Sequence, residues 1–198
     1  MARRLRAARR SQTEFMGQAR RARVPRQMPF PLECSPEQFT VNTAAALPST
    51  LGRERPDQPE VRALIAALDE FQRGLYPAAG PQPPTPDALL RPEVRFLVVR
   101  DARRHVQGCG AIVLREDCAE LQRVMVRPQA RGRGLGRALV AALEVEAVMA
   151  GRPLLRLQIG VRQRPAIRLY EGLGFRRCGP FAECRPDPFS VYMEKLLG

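Results

Sequence analysis

Residues 123–137 read Arg-Val-Met-Val-Arg-Pro-Gln-Ala-Arg-Gly-Arg-Gly-Leu-Gly-Arg, an apolar strand that runs through a proline into a glycine-rich turn and then a helix. Val124, Met125 and Val126 have the character of a buried strand, and Pro128 ends it. The stretch Arg131, Gly132, Arg133, Gly134, Leu135, Gly136, Arg137 then brings backbone N–H groups together at a helix start. That arrangement cradles an anion, and a pyrophosphate in particular. The apolar run Leu139, Val140, Leu143, Val145, Ala147 and Val148 continues the helix to Gly151, which suits a C-cap.

Two commoner phosphate motifs do not fit this spacing. A Walker loop needs Gly-Lys-Ser/Thr, and the only lysine in the chain is Lys195. A dinucleotide fingerprint beginning at Gly132 or Gly134 would need glycine at 137 or 139, where Arg137 and Leu139 stand. What remains is Arg-x-x-Gly-x-Gly, formed by Arg131, Gly134 and Gly136. A second segment lies downstream. Residues 153–160 read as a strand, and Gln163-Arg-Pro-Ala-Ile-Arg-Leu-Tyr170 opens a helix with Pro165 in its first turn and Gly174 at its end.

The order of these two segments resembles the GNAT superfamily of N-acetyltransferases, whose acyl-CoA signature is Arg-x-x-Gly-x-Gly. The superfamily's second pattern, Asn-x-x-Ala-x-x-Leu-Tyr followed by Gly-Phe, is matched by Ala166, Leu169, Tyr170, Gly174 and Phe175, with Gln163 in place of asparagine. The resemblance implies an α/β GNAT fold across residues 49–198: a mixed central sheet flanked by helices, with acyl-CoA bound where the fourth and fifth strands splay. Within the superfamily the chain resembles small bacterial acetyltransferases of unassigned substrate. The shared runs are Glu-Leu-x-Arg-x-x-Val-Arg-Pro at 120–128, Gly-Val-Arg-Gln at 160–163 and Cys-Gly-Pro-Phe at 178–181. Met125 replaces a common tyrosine there, and Ala182-Glu183-Cys184 replaces a common Gly-Asp-Tyr.

The resemblance also implies a chemistry, acetyl transfer from acetyl-CoA to an amine by direct attack. Tyr170 stands where the superfamily places a tyrosine beside the thioester sulfur, so it is the candidate donor to the departing thiolate. Glu120 lies six residues before Val126, the spacing of the superfamily's catalytic glutamate, and is the candidate base; a solvent-facing strand-end glutamate fits the same position. Simple strand alternation puts Glu120 on one face with Gln122 and Val124. Backbone groups of Val124 to Val126 are expected to pair with the acetyl and pantetheine amides, and those of Gly132 to Arg137 with pyrophosphate. The Gln163 side chain is expected at the cofactor, and Arg162, Glu183 and Asp187 near the acceptor.

Composition bounds the alternatives. The 198 residues suffice for one well-cored domain. No apolar run approaches the roughly eighteen residues of a membrane helix, so a soluble, cytoplasmic protein without membrane partners is expected. Five cysteines, Cys34, Cys109, Cys118, Cys178 and Cys184, and a single His105 lack metal-ligand spacing, so no metal is expected. A Cys–His nucleophilic pair is disfavoured because His105 falls in a hairpin turn.

The net charge of +13 is concentrated in residues 1–27, where nine arginines face one acid, Glu14. This segment reads as a basic disordered extension; a mitochondrial presequence or a mistaken start, with Met16 or Met28 as the first residue, also fits. Residues 28–48 read as linker or added arm. Nucleic acid is expected as a partner only through residues 1–27, and a homodimer is admitted. Three functions therefore compete: an N-acetyltransferase for a small-molecule or peptide amine, a non-catalytic acyl-CoA-binding module, and an RNA- or ribosome-associated protein recruited by its tail.

Overall fold

The computed structural model describes residues 39–41, 49–76, 85–181 and 186–198. In chain order the elements are β1 (Phe39–Val41), β2 (Ser49–Arg53), α1 (Pro59–Leu75), β3 (Val94–Arg100), β4 (Val106–Leu114), β5 (Ala119–Val126), α2 (Leu135–Met149), β6 (Leu154–Gly160), α3 (Arg164–Glu171), β7 (Arg176–Cys178) and β8 (Ser190–Leu196). The strands form one sheet in the order β1-β2-β3-β4-β5-β6-β8-β7. Each neighbouring pair is antiparallel except β5 and β6, which run parallel. The expected fourth and fifth strands are thus β5 and β6, displaced by one in number because β1, a short strand inside the segment read as linker or arm, precedes them.

The two faces of the sheet carry separate cores. Leu139, Val140, Leu143 and Ala147 of α2 and Ile167 and Tyr170 of α3 pack with Leu97, Ile112, Leu121, Leu155 and Leu157. Val61, Leu64, Ile65 and Leu68 of α1, at helical spacing, cover the other face with Phe96, Val98, Cys109, Ala111 and Met125. Both predicted glycine caps are formed. Gly151 has φ +70, with Arg152 N–H on the Ala147 carbonyl and Gly151 N–H on that of Val148. Gly174 has φ +89, with the matching bonds from Phe175 to Tyr170 and from Gly174 to Glu171. Each is the left-handed closure that glycine adopts at least cost. The apolar run of α2 is helical as expected, though Val145 and Val148 within it are 45% and 53% exposed, because they lie on the side of α2 turned away from the sheet. The N-cap of α1 is Gln58, and Asp57 before it spends its carboxylate on Arg55.

The start of α1 is fixed by a charge cluster around the buried Arg100. Arg100, at the end of β3, donates from Nε and Nη2 to the two Glu54 carboxylate oxygens at 2.8 and 2.9 Å. It also reaches Glu60 at 2.9 Å, the Gln58 amide oxygen at 2.9 Å and the Arg104 carbonyl at 2.6 Å. Burial alone would raise the Glu54 pKa, but hydrogen bonds from Arg100 and Gln58 outweigh it and hold the carboxyl below the usual range. A group lowered on folding contributes stability above its unfolded value, about 4.3, and loses it as pH falls through the folded value. Arg100→Met should therefore cost about 2 kcal/mol at pH 7, by leaving the partly buried Glu54 carboxylate without its guanidinium partner. Urea unfolding over a pH series should show that gap narrowing below about pH 5, as Glu54 takes up a proton. A gap independent of pH would mean that the loss is one of packing alone.

Candidate functional site

The site is built where β5 and β6 part. Their parallel pairing consists of Ala119 with Leu155, Glu120 with Arg156 and Leu121 with Leu157, and then stops, while β6 stays paired with β8 as far as Gly160. The divergence coincides with a bulge in β5. Opposite β4, Met125 pairs with Cys109 and Gln122 with Ala111, so Arg123 and Val124 together face the single residue Gly110. Arg123 takes the left-handed conformation, φ 56.

The extra residue reverses the phase of the strand. Before it, Ala119 and Leu121 join the α2-side core; beyond it, Met125 joins the α1-side core while Val124 and Val126 pack on the α2 side. The expectation that Glu120, Gln122 and Val124 share one face is thereby corrected. Glu120 and Gln122 face the α1 side, and Val124 and Val126 the opposite side. A bulge adds one residue to a two-residue period, so every later side chain changes face.

A cavity of about 300 Å³ occupies the opening. Among the predicted site residues it brings together Glu120, Val124, Gln163 and Tyr170. Gln163 is the N-cap of α3, its backbone carbonyl accepting from Ala166 and Ile167 and its side chain left on the cavity wall. Tyr170, 5% exposed, stands over Phe175 edge to face at 5.5 Å between ring centroids. Burial pushes its phenol well above the ordinary value. Glu120 accepts from Arg115 Nη2 at 2.9 Å and, on its other oxygen, from Gln122 Nε2 at 2.9 Å. Both oxygens are therefore held in place at the rim of the opening.

The glycine-rich turn lies beyond the far end of β5. Gly132 (φ +75) and Gly134 (φ +77) alternate with residues of ordinary φ, and Gly134 is the N-cap of α2 with no side chain closing the helix end. The first intrahelical bond is donated by Ala138 to the Gly134 carbonyl, so the N–H groups of Leu135, Gly136 and Arg137 point out of the first turn. Successive N–H groups aimed into one concavity form an anion nest on the positive end of the helix. The turn presents backbone rather than side chains: Leu135 buries its side chain in the core, and Gly132 leaves open space where a Cβ would stand. Arg131 Nε donates to the Val126 carbonyl at 3.2 Å, tying the turn to the strand. Arg133 is exposed beside it, and the Arg137 guanidinium reaches toward Gly172 at the end of α3. Met125 turns its side chain into the α1-side core, so only its backbone borders the strand's open edge.

The acceptor-side predictions fare differently. Arg162 gives its backbone N–H to the Tyr76 hydroxyl at 2.9 Å and its Nη1 to the Leu75 carbonyl at 2.6 Å, latching the end of α1 to the loop after β6. Asp187 closes the turn before β8 by accepting from Phe189 N–H at 2.9 Å and the Ser190 hydroxyl at 2.6 Å. Neither borders the cavity, because each spends its polar groups on local chain geometry. Glu183 lies outside the described residues.

The wall that sequence reasoning missed comes from Leu68 and Gln72 of α1 and Tyr76 just beyond its end, together with Gln158 and Gly160 of β6. A side chain at Gly160 would overlap the Tyr76 hydroxyl, so this wall closes only over glycine. The available signal was the spacing of Leu68 and Gln72, four apart on one helical face. Among the described residues no three of His, Cys, Asp and Glu cluster as metal ligands. Burial pushes the Cys109 thiol up to about 12, which leaves it inert as a nucleophile at neutral pH.

Comparison with known proteins agrees with this fold. A family profile described as acetyltransferase (GNAT) domain matches residues 92–177. The chain is 42% identical over 150 residues to an IAA acetyltransferase of Azospirillum brasilense, covering 75% of this chain and 97% of that one. A provisionally named acyl-CoA N-acyltransferase from Klebsiella pneumoniae superposes with a TM-score of 0.65 at 40% identity, over 76% of this chain and 98% of the other. In fold alone, an acetyltransferase of Elizabethkingia anophelis with acetyl-CoA bound matches with a TM-score of 0.56 at 14% identity, over 75% of this chain and 98% of its own.

Proposed function

Since the chain belongs to the GNAT family of acetyltransferases, we propose that it moves an acetyl group from acetyl-CoA to the primary amine of a small molecule or peptide by direct attack. The observation that carries this reading is the cleft between β5 and β6, which lies along the strand that leads into the glycine nest and has Tyr170 and Glu120 on its walls. The pyrophosphate sits on N–H groups of Gly132 to Arg137, and the pantetheine arm runs along the unpaired edge of β5 at Val124 to Val126 toward Tyr170. The acceptor enters from the α1 side, past Leu68, Gln72 and Tyr76. Glu120 takes the amine proton directly or through a water, on a lone pair that its present donors, Arg115 and Gln122, leave open. Gln163 offers its side-chain amide to the cosubstrate from the start of α3.

Two measurements test the reading together. Acetyl-CoA should raise the melting temperature, because a ligand that binds only the folded state stabilises it by mass action. A panel of primary amines and amino-terminal peptides, with IAA added after the Azospirillum relative, should contain an acceptor that drives thiol release. Stabilisation without thiol release from any acceptor would favour the non-catalytic acyl-CoA-binding module instead.

With an accepted amine in hand, Glu120→Gln should lower kcat/KM about a hundredfold at low pH, where the amine is protonated and a base is needed. The loss should shrink as pH rises and solvent deprotonates the amine. A loss that is constant across the pH profile would reassign Glu120 to orienting the acceptor.

A further inference from the structure

The β5 bulge sets the geometry of the cleft, yet its central residue is the large, branched-headed Arg123 rather than the glycine or asparagine that a left-handed conformation favours. Three contacts compensate. The Arg123 guanidinium, 3% exposed, forms an ion pair with Asp69 in the third turn of α1. Its carbonyl accepts from the buried Cys109 thiol at 3.7 Å. Across the ladder Gly110 permits close approach, since a Cβ there would lie 3.0 Å from Leu143 and 3.3 Å from Val124.

A buried ion pair is a weak source of stability, because desolvation consumes most of its Coulombic gain. It is a strong source of geometry. Resting on the reading of the cleft as the acyl-CoA slot, we propose that Asp69 and Arg123 form a brace from α1 that holds the bulge in one conformation and thereby aims the Val124–Val126 backbone at the thioester arm. Without the brace, Arg123 relaxes toward an ordinary extended conformation and the strand loses the phase reversal that separates Glu120 from Val124. The same pair joins the acceptor wall, Leu68 to Tyr76, to the cosubstrate strand, so the two substrates meet at a fixed offset. Arg123 and Asp69 are positioning residues. The pyrophosphate nest, at the other end of the β5–α2 connection, does not depend on them.

That division supplies the test. Isothermal titration of the full chain compares acetyl-CoA with ADP, which carries the pyrophosphate but no pantetheine arm. Asp69→Asn should weaken acetyl-CoA about tenfold or more, the scale of a displaced binding edge, while ADP stays within about twofold of the parent. Arg123→Lys, which keeps the cation but not the planar fork, should show the same pattern with a smaller loss, and it carries the comparison if Asp69→Asn yields too little folded protein. Unchanged acetyl-CoA binding in both variants, or equal weakening of both ligands, would overturn the brace. A parent chain that fails to bind acetyl-CoA would instead overturn the slot reading, and the brace with it.

Discussion

Tyr170→Phe should lower kcat by roughly ten- to ten-thousand-fold while leaving acetyl-CoA affinity nearly unchanged, the range set by loss of one general-acid or transition-state donor. The aromatic ring stays in its slot against Phe175 and within the α2-side core, so packing is conserved and only the hydroxyl is lost. The direction of the Tyr170 pKa refines the role. An ordinary thiol titrates near 8.5 and an ordinary phenol near 10, and burial moves this phenol higher still. Complete proton transfer to a thiolate would then be uphill, so the role expected of Tyr170 is chiefly that of a hydrogen-bond donor stabilising charge as the C–S bond breaks. The proton that finally neutralises the thiolate would come from solvent or from the attacking amine. Because a raised pKa keeps the phenol protonated over the whole working range, the loss in Tyr170→Phe should be flat between about pH 6 and 9. Full activity in the variant would remove Tyr170 from the chemistry.

Gly134→Asp should abolish stabilisation by acetyl-CoA without unfolding the protein. At φ +77 an aspartate carries some backbone cost, but the position is the N-cap of α2, where a carboxylate readily accepts from the N–H groups of the first turn. Those are the groups assigned to pyrophosphate. The new side chain would occupy the nest from within and repel the ligand's charge, removing charge-assisted hydrogen bonds worth about 3 kcal/mol, or about a hundredfold in Kd. The melting temperature of the free variant should stay close to that of the parent, while its shift with acetyl-CoA disappears. Parent-like affinity in the variant would place the pyrophosphate elsewhere.

The parts of this site that were legible in the sequence are those where backbone geometry demands a particular residue. Gly132 and Gly134 in the nest and Gly151 and Gly174 at helix ends all have positive φ, and each was readable because glycine is the residue such conformations favour. The family pattern likewise placed Tyr170 on α3, where it is buried.

The bulge was illegible for the converse reason. Arg123 adopts a left-handed conformation under tertiary constraint from Asp69, 54 residues away, and arginine carries no local signal for it. Uninterrupted alternation was therefore extended through residue 123, and Val124 was assigned the wrong face. Arg162 and Asp187, expected near the acceptor, do not line the cavity, and their placement was not legible because charge near a cleft does not reveal partners. Both are consumed by carbonyl, amide and hydroxyl groups that only the folded chain brings near. Strand β1 spans three residues, Phe39–Val41, too few for a period to register.

The central claim is that the cleft between β5 and β6 transfers an acetyl group to an amine. The most direct measurement incubates the full chain with acetyl-CoA and the amine that drives fastest thiol release, then quantifies free CoA and acetylated amine by mass spectrometry in one time course. The predicted result is one acetylated amine for each CoA released, at a rate that falls with Tyr170→Phe in proportion for both products. CoA released with no acetylated amine, or a rate indifferent to Tyr170, would contradict it.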